Sequence, residues 1–170
     1  MQGQWESNLN ENGKRHADEN GRWLKDLGIG HIWASPQSRV RQTAEIISQH
    51  MPLAANPTFD DRLKEWSSGD WSGELYADLA VKRPEEWAAW EADRYGYRPP
   101  NGENFVDLEE RADSFFADSV SNPEPTVAVF AHGFIIRVMV GRLAGLSVEE
   151  VLAVKQTNQT VIRVQQRDGQ

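Results

Sequence analysis

His31-Ile32-Trp33-Ala34-Ser35-Pro36-Gln37-Ser38-Arg39-Val40 passes from a short apolar run to a helix start. His31 to Ala34 has the length and apolarity of a buried strand. Ser35-Pro36 then opens a helix, with Ser able to cap and Pro suited to the first turn. Val40, Ala44, Ile47 and Met51 give that helix an apolar stripe. A second junction of the same kind lies far downstream. Thr126 to Ala131 is continuous, apolar and β-branched, so it reads as a buried strand. A turn at His132-Gly133 leads from it into a helix through Leu143. Strands alternating with helices predict an α/β chain, a three-layer α/β/α sandwich with a mainly parallel sheet.

The remaining segments fit that scheme. Ala17, Trp23, Leu24 and Leu27 recur at near-helical spacing between Asn10 and Leu27, and Gly28 and Gly30 stop the helix. Leu53 to Phe59 is expected to hold a short edge strand limited by Pro57. Helical segments are predicted at Glu74–Val81 and Pro84–Ala92, between loops at Glu65–Gly73 and Arg94–Gly102. A longer amphipathic helix spans Asn104 to Ser121, with Phe105, Leu108, Ala112 and Phe115 on one face. Ser147-Val148-Glu149-Glu150 is a capping box for one more short helix, and Thr160 to Val164 reads as a last strand. No repeat, low-complexity tract or linker interrupts the chain. The expectation is one domain over residues 1–170, with a helical cap segment at 74–102.

Composition narrows the function. There is no Cys, which removes disulfides, thiolate catalysis and Cys-type zinc sites together. A formal net charge of −8 argues against a nucleic-acid partner. No apolar run approaches a membrane span, and Met1-Gln2-Gly3-Gln4-Trp5-Glu6 has no secretory pattern, so a cytoplasmic location is expected. Seven Trp are expected mainly in core and rim packing.

Ligands of open α/β sheets sit beyond the carboxyl ends of the strands, where helix N-termini present N–H groups and a positive dipole end. If both junctions lie on one sheet edge, the Arg39 guanidinium and the His132 imidazole converge there. Arg can hold two phosphoryl oxygens at once. Singly, Arg39 reads as a solvated residue of a first turn, His132 as a weak signal, and Glu65 as an exposed carboxylate. Their joint order carries the argument.

That order resembles the histidine phosphatase superfamily, in its phosphoglycerate mutase-like branch. Ser35-Pro36-Gln37-Ser38-Arg39-Val40-Arg41-Gln42-Thr43-Ala44-Glu45 is similar to the family's second signature. Arg62-Leu63-Lys64-Glu65 with Gly69-Asp70-Trp71-Ser72-Gly73 resembles its acid-bearing loop. Arg98-Pro99-Pro100-Asn101-Gly102-Glu103 resembles a Pro-Gly-Gly-Glu-Ser segment, and Ala131-His132-Gly133 its second His-Gly motif. By that resemblance Arg39, His132 and Gly133 bind the phosphoryl group. Glu65 protonates the leaving oxygen and then activates water, and His132 stabilises the phosphoryl oxygens. The resemblance implies hydrolysis of small phosphomonoesters through a phosphohistidine, with no metal and no cofactor. A phosphoglycerate-type mutase and a non-catalytic phosphate-binding module stay open beside it. So do the partner, beyond a small phosphorylated metabolite, and the oligomeric state.

The family's nucleophile is the His of an Arg-His-Gly after its first strand, and these 170 residues contain no such signature. Arg15-His16-Ala17 falls inside a predicted helix, so His16 is expected on a helix surface. His31 and His50 are expected to be structural. The resemblance places the family's first strand between the strand ending at His132 and the one at Thr160–Val164. An absent interior strand leaves two unpaired edges. The expectations are truncation at both ends, little or no turnover, and marginal stability or aggregation. Trp66, Trp71, Tyr76, Trp87 and Trp90 are candidates either to line an apolar part of the pocket or to pack the cap. Arg111 and Arg137 are candidates to support the site from behind, with ordinary helix salt bridges the expected role.

Overall fold

Three parallel strands carry the site. The computed structural model describes residues 2–51, 56–119 and 126–165. Its strands are β1 (His31–Ala34), β2 (Thr58–Phe59) and β3 (Val127–Phe130). Its helices are α1 (Glu11–Leu24), α2 (Ser38–Ser48), α3 (Tyr76–Lys82), α4 (Pro84–Ala92), α5 (Phe105–Ser119), α6 (Gly133–Ala144) and α7 (Val148–Ala153). The sheet order is β2-β1-β3, with Trp33 paired to Val129 and Ala34 to Phe130.

Side chains alternate across the sheet with the period of two that a strand imposes. Trp33 and Val129 face a cluster built by α5 and α6, including Leu108, Phe115, Ile135 and Val138. Ala34 and Phe130 face the opposite layer, against Val40 and Ala44 of α2. Phe130 also meets a cluster of Ala17, Leu24 and Ile47 from α1 and α2. The result is a three-layer α/β sandwich with helices on both faces of a small parallel sheet. Leu79 of α3 and Trp90 of α4 belong to the same cluster as α5 and α6. Each large side chain buried this fully contributes about 1.5–3 kcal/mol.

The helix ends follow local chemistry. Asn10 caps α1 by accepting from the Gly13 N–H, and Gly28 sits at φ +65° just beyond it, so the helix ends at Leu24 rather than Leu27. The capping box of α7 is complete, Ser147 and Glu150 each bonding the other's backbone.

Three expectations need correction. The helix expected to open at Ser35-Pro36 begins at Ser38, because Gln37 is extended and the Ser35 hydroxyl is engaged elsewhere. The short edge strand expected within Leu53–Phe59 is found at Thr58–Phe59, just after Pro57 and at the edge beside β1, with residues 52–55 outside the described ones. The strand expected to be buried at Thr126–Ala131 is half-exposed, with Val127 at 43%. It pairs only with β1 among the described residues, so its other side is an edge. Thr160–Val164 forms no strand, and Val161, Ile162 and Val164 are exposed. A strand needs a hydrogen-bonded neighbour, and β3 does not reach this segment. Ser121 lies outside the described residues. Among the described residues no helix is long and apolar enough to cross a membrane.

Candidate active site

The carboxyl ends of β1 and β3 lie side by side, as parallel neighbours must. The Ser35 N–H donates to the Phe130 carbonyl at 2.9 Å, tying the two chain exits together. The side chain of the same residue reaches the next turn of chain, with Ser35 Oγ 2.8 Å from Nε2 of His132. Ser35 is fully buried and His132 is 7% exposed. Burial lowers the His132 pKa to about 3, and the charges of Arg39 and Arg111 push the same way. The imidazole is therefore neutral. With Nε2 turned to Ser35, Nδ1 is the ring atom left to meet a ligand.

Arg39 lies in the first turn of α2, above the same sheet edge. Its guanidinium donates to the carbonyls of Trp5 at 2.8 Å and Gly3 at 2.9 Å. Burial lowers its pKa, opposed by the carboxylates of Glu65 and Glu6. Gln37, 1% exposed, links the parts of the pocket. Its amide nitrogen donates to the Gly3 carbonyl and its oxygen accepts from the Glu65 N–H at 2.8 Å. Gly3 can take part because it has φ +48° and no side chain. A Cβ there would come within 2.9 Å of Ser68 Oγ.

Glu65 completes the set. Its carboxylate accepts from the Trp66 N–H at 2.9 Å and from the Phe134 N–H at 3.1 Å, with the Ile135 N–H also directed at it. The residue is only partly buried, but its carboxyl group sits deep. Burial raises its pKa, against the backbone donors and Arg39. A carboxyl group whose pKa is raised by burial beside an arginine has the character of a general acid.

The helix N-termini are not open to a ligand as the sequence suggested. Glu65 occupies the one of α6, and Glu6 accepts from the Ser38 N–H at 2.8 Å on α2. Carboxylates are stable there for the reason a phosphate would be, since the dipole end and unpaired N–H groups favour an anion. Gly133 opens α6, and a Cβ on it would lie 3.6 Å from Glu65.

The loop carrying Glu65 is braced from behind. Arg111 pairs with both oxygens of Glu103, at 2.8 and 3.0 Å. Its other nitrogen donates to the carbonyls of Arg62 and Lys64. Glu103 in turn accepts from the Ser67 N–H at 2.8 Å. Arg111 is thus a loop clamp rather than a helix salt bridge. Arg137 also departs from expectation. Its i±3 and i±4 neighbours on α6 are Phe134, Gly133, Val140 and Gly141, so its own helix offers it no acid.

Arg39, Glu65, His132 and Gly133 are therefore brought to one place. Ser35, Gln37, Glu6 and Gly3 join them without having been singled out. Ser35 and Gln37 had a signal, since both lie inside the quoted motif. The other three histidines lie elsewhere. His16 contacts Arg15 within α1, His31 starts β1 at the opposite end of the sheet, and His50 pairs with Asp18. The aromatic residues divide between the two expectations. Trp66 and Trp71 are core, Tyr76 and Trp87 line a cleft that Phe134 joins to the Glu65 loop, and Trp90 belongs to both. Among the described residues no group of three or more His, Cys, Asp or Glu is placed to hold a metal ion.

Comparison with known proteins gives a consistent picture. The family model described as the histidine phosphatase superfamily (branch 1) matches residues 1–170. A protein named "Probable phosphoglycerate mutase GpmB" from Erwinia tasmaniensis is 30% identical over 167 residues, covering 96% of this chain and 76% of that one. The mycobacterial glucosyl-3-phosphoglycerate phosphatase superposes with a TM-score of 0.80 at 27% identity, covering 91% of this chain and 76% of its own. The alpha-ribazole phosphatase of Shigella flexneri has a TM-score of 0.81 at 23% identity, covering 89% and 75%, a likeness of fold.

Proposed function

This chain belongs to the histidine phosphatase superfamily (branch 1), and from that premise we propose that its pocket binds a small phosphomonoester for hydrolysis at the carboxyl edge of β1 and β3. The observation that carries the proposal is the meeting of Arg39, Glu65 and the Ser35–His132 pair. Arg39 holds two phosphoryl oxygens, and His132 donates through Nδ1 to a third. This matches what phosphoryl transfer asks of a protein, which is positioning and charge stabilisation. Glu65 gives its proton to the departing oxygen and later takes one from the attacking water.

In the family's route an imidazole nitrogen attacks phosphorus and the phosphohistidine is then hydrolysed. That nitrogen belongs to the Arg-His-Gly signature, which these 170 residues do not contain. His132 is the one imidazole at the pocket. For the 170-residue chain we therefore propose phosphate binding with little turnover. A hydrolase is preferred to a mutase because Glu65 can activate water. The GpmB relative keeps the mutase reading alive, and product analysis with phosphoglycerate separates the two.

The test is calorimetric titration of inorganic phosphate and phenyl phosphate into the chain, with an aryl phosphate turnover assay. Binding that is lost in Arg39→Ala supports the pocket. No binding to the parent chain overturns it. Robust turnover that disappears in Glu65→Gln overturns the claim of weak catalysis.

A further inference from the structure

Beside Glu65 lies a cleft of about 470 Å³ whose walls include Tyr76, Trp87, Trp90 and Phe134. Arg94 and Arg137 join them, and among the described residues no acidic side chain lines it. That is unusual in a chain of net charge −8. Trp87 and Trp90 have ring centroids 4.9 Å apart, and Tyr76 stacks on Trp90 at 5.6 Å, so the wall is a set of fixed flat faces. Arg94 lies over Trp90 at 4.8 Å, and its one carboxylate neighbour, Glu91, is 3.6 Å away.

Arg137 is the informative residue. It projects from α6, one turn beyond the Phe134 N–H that holds Glu65. Its guanidinium lies 5.5 Å from the Phe134 ring centroid, and its Nε is buried with no hydrogen-bond partner. Among the described residues no carboxylate pairs with it. A guanidinium nitrogen that has lost water without gaining an acceptor is a costly arrangement. Such groups mark places where a ligand supplies the missing partner. The cleft adjoins the phosphate pocket, since the Phe134 backbone holds Glu65 while the Phe134 ring lines the cleft.

We propose that this cleft is the leaving-group subsite, and that it selects a phosphomonoester whose leaving group is flat and apolar and carries a carboxylate. The ring packs on the exposed parts of Tyr76 and Trp87 above Trp90, and the carboxylate pairs with Arg137 while Arg94 adds positive potential at the mouth. The proposal rests on the phosphate-pocket reading for the position of the phosphoryl end, and on the cleft alone for the rest.

Binding of three compounds to the 170-residue chain tests it by calorimetry: phenyl phosphate, para-carboxyphenyl phosphate and para-hydroxybenzoate. The carboxylated ester is expected to bind roughly tenfold more tightly than phenyl phosphate, the gain of one charge-assisted pair. Arg137→Met removes that difference, and Arg137→Lys restores part of it. Para-hydroxybenzoate, which has no phosphoryl group, binds weakly and loses its binding in Arg137→Met but not in Arg39→Ala. Equal affinity for the two esters, or a preference that survives Arg137→Met, overturns the subsite. Failure of both esters to bind while para-hydroxybenzoate still binds through Arg137 overturns the phosphate pocket and leaves the cleft supported. Failure of all three overturns both.

Discussion

Ser35 Oγ and His132 Nε2 lie 2.8 Å apart although ninety-seven positions separate them in the chain. The contact exists because β1 and β3 are parallel neighbours that end level with each other. It removes the Nε2 side of the ring from the pocket and leaves Nδ1. Ser35→Ala strips a buried imidazole of its partner. The expected loss is about 1–3 kcal/mol in urea unfolding, together with a change of tautomer visible in the His132 nitrogen shifts. An unchanged midpoint and unchanged shifts would show that the contact holds nothing.

The buried imidazole makes stability depend on acid. The folded pKa of His132, about 3, lies below its ordinary 6.5. As pH falls below 6.5 the unfolded chain takes up the proton first. Its contribution is thus complete above about 6.5 and declines toward about 3, by up to ~1.4 kcal/mol per pH unit. Glu65 works in the opposite sense. Its raised pKa favours folding at low pH, and that part is lost as pH rises through the raised value. The His132 effect spans the range between 6.5 and about 3. Urea unfolding across this range should show a slope that flattens in His132→Gln.

Glu65 places a negative charge where a phosphate would approach Arg39. Glu65→Gln keeps an oxygen for the Trp66 and Phe134 N–H groups and removes the charge. Phosphate should bind several-fold more tightly to this variant, while any residual aryl phosphate turnover disappears. Weaker binding would mean that the carboxyl group supports the anion rather than competes with it.

Gly69 lets the Glu65 loop close against residues 99–102. It has φ +52°, and a Cβ there would lie 2.1 Å from the Pro100 carbonyl oxygen. Gly69→Ala is expected to cost about 1–3 kcal/mol from the backbone conformation alone, with the clash added to it. Thermal unfolding measures it. A loss within a few tenths of a kcal/mol would show that the loop relaxes freely.

Val127 stands 43% exposed on β3, whose outer edge has no strand beside it among the described residues. Exposed apolar edges pair with other chains, and a charge on the edge blocks this. Val127→Lys should slow aggregation on warming, followed by light scattering, without lowering the unfolding midpoint by more than about 1 kcal/mol equivalent. Unaltered scattering would place the aggregation-prone surface elsewhere.

The local elements were legible in the sequence because local rules govern them. β1 and α4 fall where their patterns put them, and the Ser147–Glu150 box caps its helix. The motif around Arg39 carried the family and the fold with it. What failed were readings that depend on distant neighbours. The run at Thr126–Ala131 has the composition of a buried strand, and the unpaired edge expected beside it leaves it half-exposed. Thr160–Val164 has strand composition and no partner to pair with. Arg111 and Arg137 look alike on their helices, yet one clamps the Glu65 loop and the other faces a cleft with its Nε unpaired.

By itself, the sequence singled out the candidate groups: a guanidinium and an imidazole next to helix starts, and a carboxyl group in a loop. Propensity, capping and apolar period act within a few residues, so they can be read one segment at a time. Only the tertiary structure decided the state of those groups. Burial makes His132 neutral and raises Glu65, Ser35 takes one ring nitrogen, and Glu6 and Glu65 fill the helix ends. Desolvation and field effects depend on what packs around a group in space, and that is written nowhere in its neighbours along the chain.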